Sequence, residues 1–294
     1  MLTLSLLLAL PSACAAAPAP DWDKIEFAAQ PLGGGVTLLA SGRGGNVAVL
    51  VGSDGVLLVD DEVQPLSARL RAAVARVSDR PVRFVLNTHW HFDHVGGNPA
   101  LGGDGAVIMA HERVRQRMAE GQAVSAFGVP VPPAAAAALP IVTFADGLTV
   151  HFDGETVELR HVAPAHTDGD AVVFFRRANV VHMGDLFWNG MYPLVDGTSG
   201  GSMAGMIAGL DMVLARIDET TTVIPGHGPV GDRAALQGYR DMLDTVAKRV
   251  AGLRKQGRSA DEIVAARPTA DLDAAWGKGL FTGEQWVRLV AAAP

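Results

Sequence analysis

Cysteine is almost missing from this 294-residue chain: Cys14 is the only one. A single thiol closes no internal disulfide and builds no thiolate cage, so a staple or a metal centre must come from other groups. Basic charge is also in short supply, with 24 Lys and Arg against 31 Asp and Glu, a formal charge of −7, and no basic run in any window. Counterion release needs clustered cations, so a nucleic-acid partner is not expected. No stretch is apolar for the roughly 20 residues a membrane helix needs, and no repeat of 20 to 50 residues recurs. Disorder is excluded by composition, since 49% of residues are hydrophobic and 19% charged; the 34 Gly keep no strict period, which removes a collagen-like chain. What remains is a globular chain of one domain, long enough to bury about three quarters of its unfolded surface without disulfides.

Residues 2–10 are almost wholly apolar and are followed by Pro11-Ser12-Ala13-Cys14-Ala15, small residues that suit signal peptidase. Residues 1–20 therefore read as a signal peptide with a short linker, and 21–294 as a single domain with a helical segment over about 232–294. The expected location is periplasmic or secreted, with no stable membrane insertion after cleavage. Lipidation at Cys14 is the alternative, and Pro11 stands where lipoprotein signals usually carry Leu. Cleavage after Ala15 would leave a mature chain without cysteine.

From Val36 the chain alternates β-rich runs with Gly-rich turns. Strands are expected at 36–39, 46–51, 56–59, 82–86, 148–152, 156–162, 171–175, 179–182 and 222–224; helices at 66–77, 111–120 and 202–217. The Pro- and Ala-rich segment 129–140 reads as a surface excursion. Asp232 reads as an N-cap opening the helical end of the chain, with a break near Arg267-Pro268. Strands and helices shared between two halves suggest two sheets face to face with helices outside, an α+β sandwich.

Nine histidines are the other feature of the composition. His89-Trp90-His91-Phe92-Asp93-His94 follows a buried strand run. Side chains two apart point the same way there, so His89 and His91 converge on one ion while the turn sends Asp93 and His94 towards another. Further candidates end later strand runs: His166, Asp185 after Gly184, and His227 in Pro225-Gly226-His227-Gly228. Nitrogen and oxygen ligands without thiolate suit Zn foremost, with Fe, Mn or Ni accommodated by the same set. His111, His151, His161 and His182 read as structural.

The H-x-H-x-D-H run, the later His and Asp, and the P-G-H-G signature, in that order over about 36–228, resemble the metallo-β-lactamase superfamily. The resemblance implies an αββα sandwich of two mixed sheets with a metal site at one edge. It implies that His89, His91 and His166 bind one zinc ion, that Asp93, His94 and His227 bind a second, and that Asp185 bridges. The chemistry implied is attack by a metal-bound hydroxide on a carbonyl, with Asp93 orienting it and passing on its proton. Dedicated lactamases of the family typically carry Cys or Ser where this chain has Asp185, so the chain departs from their pattern, while β-lactam opening, a strained amide's hydrolysis, stays open to it as a side activity and a dedicated role is not excluded. Asn189 and Tyr192 are candidate oxyanion donors, and Trp90, Phe92, Trp188 and Met191 candidate substrate contacts; Phe187 reads as core. The Gly- and Ser-rich stretch 195–202 is either a mobile cover or a turn. The expectation is an exported hydrolase of a small lactam, lactone, ester or thioester. The alternatives are a mononuclear-iron persulfide dioxygenase using His89, His166 and Asp185, and a non-catalytic accessory protein. Oligomeric state is not legible.

Overall fold

A computed structural model describes residues 20–124, 129–162 and 164–292. The stretch read as a signal, with Cys14, lies outside the described residues.

An antiparallel meander opens the fold: β1 (Ala28–Gly33), β2 (Val36–Ala40), β3 (Val47–Gly52) and β4 (Gly55–Val59). Helix α1 (Ser67–Val77) carries the chain back, so β5 (Val82–Leu86) pairs parallel to β4. After α2 (Asn98–Gly103) come β6 (Val107–His111), α3 (Glu112–Glu120), a small hairpin of β7 (Gln122–Val124) and β8 (Val129–Val131), and β9 (Val142–Phe144), which completes a seven-stranded mixed sheet in the order β1-β2-β3-β4-β5-β6-β9. The second sheet has five strands: β10 (Gly147–Phe152), β11 (Glu155–His161), β12 (Ala171–Phe175) and β13 (Val180–His182) run antiparallel, and α4 (Met203–Leu214) crosses over to a parallel β14 (Thr222–Ile224). The chain then continues through α5 (Arg233–Lys255), α6 (Ala260–Ala265), α7 (Asp273–Trp276) and α8 (Gly283–Ala292).

The period-two pattern of the strands sorts these elements into layers. Leu38, Leu50, Leu57 and Val59 of the first sheet face Val157, Leu159, Val173 and Phe175 of the second, forming the inter-sheet core. Their neighbours Leu39, Val49, Val56 and Leu58 point the other way, onto Leu66, Leu70 and Val74 at α1. On the far side, Val172, Phe174 and Val181 meet Met206, Leu210 and Val213 of α4 and Leu236, Tyr239 and Leu243 of α5. The result is the expected helix–sheet–sheet–helix sandwich. Most expected strands and helices occur within a residue or two of the boundaries read from sequence. Helix α4 stops at Leu214, short of Ile217.

Strands β1, β6, β7, β8 and β9 were not expected. β1 carries Pro31 and is almost wholly exposed, as an edge strand can be, so it shows no apolar alternation. The segment 129–140 is less peripheral than its composition suggests: it contributes β8 and a 3₁₀ turn whose Ala138 is buried and accepts a hydrogen bond from Asn98 Nδ2 at 3.0 Å. The Asp232 carboxylate caps α5 through the Ala235 N–H at 2.8 Å, and the chain breaks at Arg267, whose φ is +48°. Phe281 and Trp286 of the helical end are buried in the same core as α4 and α5.

Candidate metal centre

The expected ligands all follow strand ends at one edge of the sandwich. Residues 87–94 leave β5 as bends and a turn; His166 follows β11, Asp185 follows β13 and His227 follows β14. Extension does not bring His89 and His91 together, since the chain bends between them, yet their rings meet at 4.8 Å. Donor atoms of His89, His91, His166 and Asp185 lie within 4.8 Å of one another, and those of Asp93, His94 and His227 form a second group of the same kind. Asp185 turns one carboxylate oxygen to each: Oδ2 lies 3.4 Å from His166 Nε2 and 3.8 Å from His89 Nε2, while Oδ1 lies 3.1 Å from His94 Nε2 and 3.3 Å from His227 Nε2.

Glycines allow this approach. Gly184 has φ +50°, and a Cβ there would crowd Thr88; a Cβ on Gly226 would overlap Asp185 Oδ1. The backbone N–H of Gly226 donates to the Gly184 carbonyl at 2.7 Å, binding the two ligand loops to each other.

The outward nitrogens of four of the five imidazoles are engaged. His91 Nε2 donates to Asp196 at 3.0 Å, His94 Nδ1 to Asp60 at 2.7 Å and His166 Nδ1 to the Leu194 carbonyl at 2.8 Å; His89 Nδ1 lies 3.0 Å from the Thr88 hydroxyl. Fixed in this way, the inward nitrogens of His89, His91 and His166 carry lone pairs. His91 Nδ1 and His166 Nε2 then face each other at 2.9 Å, whereas the Nε2 atoms of His94 and His227, 3.4 Å apart, both lie against Asp185 Oδ1. Buried His89 Nε2 has no hydrogen-bond partner. Lone pairs aimed at one another and an orphaned buried acceptor are unfavourable by themselves, and a shared cation relieves both, so the donor set fits a metal.

The two groups differ in protonation. Burial pushes His89 down and His166 to about 4, so both are neutral. Burial acts the same way on His94 and His227, but Asp185 and Asp93 outweigh it, raising His94 and lifting His227 to about 10. Asp185 is held below its ordinary range despite burial, because histidines surround it.

Three candidate residues stand elsewhere than expected. Tyr192 is fully buried, its ring stacked on Trp286 at 4.4 Å and its hydroxyl donating to Asp273 at 3.0 Å, so it offers nothing to an oxyanion. Asn189 Nδ2 donates to the Pro229 carbonyl at 2.9 Å, and its backbone N–H to that of His227; it braces the His227 loop. Trp90 is buried and donates to Ser199, away from the cavity over the cluster. The stretch 195–202 is a capped turn whose Asp196 accepts from the Ser199 hydroxyl at 2.6 Å. Phe92, Trp188 and Met191 do line that cavity, about 550 Å³, together with Leu194 and Leu280. Phe187 packs in the core against Tyr239. Of the histidines read as structural, His111 and His161 stack at 3.8 Å, and His182 contacts the Asn46 carbonyl. Asp60 and Asp196 were not foreseen: one lies in an acidic run after β4, the other in a Gly- and Ser-rich turn, and neither carries a motif.

The chain is 28% identical over 181 residues to the 2,4-dinitroanisole O-demethylase subunit alpha of Nocardioides sp. (strain JS1661), covering 59% of this chain and 50% of that protein, so it spans half the length of that relative. It is 23% identical to the metallo-beta-lactamase type 2 of Bacteroides fragilis (66% of this chain, 76% of that one) and 30% identical to the hydroxyacylglutathione hydrolase of Polaromonas sp. (63% and 64%). Among solved structures, the metallo-beta-lactamase from Pontibacter korlensis superposes with a TM-score of 0.62 at 20% identity, over 74% of this chain and 99% of that one. A sec-alkylsulfatase from Pseudomonas sp. superposes at 0.69 and 16%, over 91% and 50%. Residues 40–253 match the family described as the metallo-beta-lactamase superfamily, and the chain belongs to that superfamily.

Proposed function

We propose that this protein is an exported hydrolase of small acyl compounds, a lactam, lactone, ester or thioester, working with two zinc ions. The observation that carries the reading is the division of seven side chains into two donor groups, with one oxygen of Asp185 turned to each. In the proposed assignment His89, His91 and His166 hold one ion, Asp93, His94 and His227 the other, and Asp185 both. When bound, the ions supply Lewis acidity that polarises a carbonyl and makes water nucleophilic near neutral pH. The chain supplies the rest. Asp93, more exposed than Asp185, faces the cavity 3.3 Å from His227 Nε2, where its carboxylate orients the attacking water and takes up its proton. Phe92, Trp188 and Met191 keep bulk water from one flank and give the substrate an apolar seat. A hydroxyacylglutathione hydrolase and beta-lactamases among the relatives support acyl hydrolysis. The apolar stretch 2–10 and the small residues after it support export.

The test is a metal-defined panel of nitrocefin, an acyl homoserine lactone, S-lactoylglutathione and a phosphodiester. Zinc-dependent turnover of an acyl substrate, abolished by H89A and by D185N, is expected. Turnover of the phosphodiester alone, or oxygen uptake with one iron, would overturn the reading.

A further inference from the structure

Apart from the ligand cluster, one charged side chain lines the cavity: Arg43, which is also its only Lys or Arg. It lies in the loop 41–46 joining β2 to β3, and among the described residues its guanidinium makes no ion pair or hydrogen bond. An arginine on a slack loop would mean little. This loop is fastened at its C-terminal end to the segments that carry the ligands. The Gly45 N–H donates to the Asp93 carbonyl at 3.0 Å and the Asn46 N–H to that of Gly226 at 2.8 Å, while Asn46 Nδ2 reaches the carbonyls of Pro225 and Gly228 at 2.9 and 3.0 Å. Gly45 packs so closely that a Cβ would overlap the His94 ring.

Glu62 completes the mount. It is fully buried, with φ +68°, a backbone conformation unfavourable for any residue but glycine. Its carboxylate belongs to neither donor group; it accepts from the Ser41 hydroxyl, from the Gly44 N–H at 3.2 Å and from the Val63 N–H at 2.9 Å. A buried acid in a strained conformation is thus committed to holding the turn from which Arg43 projects.

The remaining wall is apolar, and part of it is open to solvent: Phe92 is 40% exposed and Leu280 51%. Phe92 is also the partition to a neighbouring apolar cavity of about 480 Å³ lined by Trp22, Val131 and Pro133. A planar cation carried on a held loop at the mouth of an apolar cleft matches a carboxylate on an otherwise apolar molecule.

We infer that Arg43 is a specificity-determining residue and that the substrate is an amphipathic anion, with its scissile carbonyl over the His/Asp cluster, its apolar body along Phe92, and a carboxylate paired with Arg43. The inference rests on the hydrolase reading above, and its test separates the two. The metal-loaded protein is assayed with 4-nitrophenyl hydrogen suberate, which carries a free carboxylate, and with its neutral methyl ester. Binding of 4-phenylbutyrate and of its neutral amide is measured in parallel by calorimetry. The expected result is that R43A lowers kcat/KM for the anionic ester about 5- to 10-fold more than for the neutral one, R43K restores part of the preference, and the wild-type preference shrinks as salt rises. The same ratio should appear in the two binding constants. If neither ester is hydrolysed but binding retains the Arg43-dependent preference for the anion, the hydrolase reading fails and the role of Arg43 stands. Equal effects of R43A on anionic and neutral compounds in both measurements, or no binding of the anion, would overturn it.

Discussion

Four of the ligand imidazoles, those of His89, His91, His94 and His166, are oriented by a partner on the outer side, and Asp196 shows what that does. Its carboxylate takes the His91 Nε2–H at 3.0 Å, which fixes the tautomer and leaves Nδ1 free to face the cluster. Replacing it with Ala lets the ring turn and changes which nitrogen carries the proton. D196A is therefore expected to weaken metal affinity about 10- to 100-fold, read by competition with a chromogenic chelator. An unchanged affinity would show that packing alone orients His91. Protonation at this scale also predicts a pH dependence. His94 and His227 are held protonated near neutral pH by Asp185 and Asp93, whereas His89 and His166 are already neutral. An ion entering the His94 group must displace protons, so its apparent affinity falls as pH falls from neutrality; the His89 group is affected only at lower pH. Calorimetric titration in two buffers of different ionisation enthalpy should find proton release for one uptake step and little for the other, and the proton-releasing ion should be lost first on acidification. Equal proton release in both steps would contradict this.

At the scale of elements, the ligands depend on loops held from outside the sandwich. Gly226 lets the β14 loop lie directly on the Gly184-Asp185 turn, and an added methyl would meet Asp185 itself. G226A is expected to displace that carboxylate, lowering metal affinity and turnover at least 10-fold while the far-ultraviolet circular dichroism stays native. The helical end of the chain reaches the site as well. Trp286 of α8 stacks on Tyr192 and donates to the Pro193 carbonyl at 2.7 Å, next to Leu194, whose carbonyl holds His166. Removing so large a buried ring should cost about 3–5 kcal/mol in urea unfolding and should also weaken metal binding through His166. A W286A protein with native stability would show α8 to be a dispensable appendage.

For the whole molecule, the parts legible in the sequence are those with a local signature. Strands such as Ala171–Phe175 and Thr222–Ile224 announce themselves by buried β-branched runs, and the ligand motifs by unusual spacing. Features decided by long-range contacts left no such mark. Asn189 and Tyr192 follow Asp185 closely enough to read as site residues, yet the chain turns there and gives their polar atoms to Pro229 and Asp273. Asp60 and Asp196 lie 34 and 105 residues from the histidines they orient, a separation over which no pattern connects them. The edge strand β1 and the short β9 were hidden for a related reason: neither has enough burial to impose a pattern.

The central claim is that both donor groups hold zinc and act together on an acyl bond. The most direct measurement is elemental analysis of the protein after dialysis against zinc, paired with turnover of the acyl panel as zinc is added stepwise to chelator-stripped protein. Close to two zinc ions per chain, with hydrolysis rising to a plateau as the second is added and abolished by D185N, is the predicted result. Saturation at one ion, or filling of both groups without hydrolysis of any acyl substrate, would contradict it.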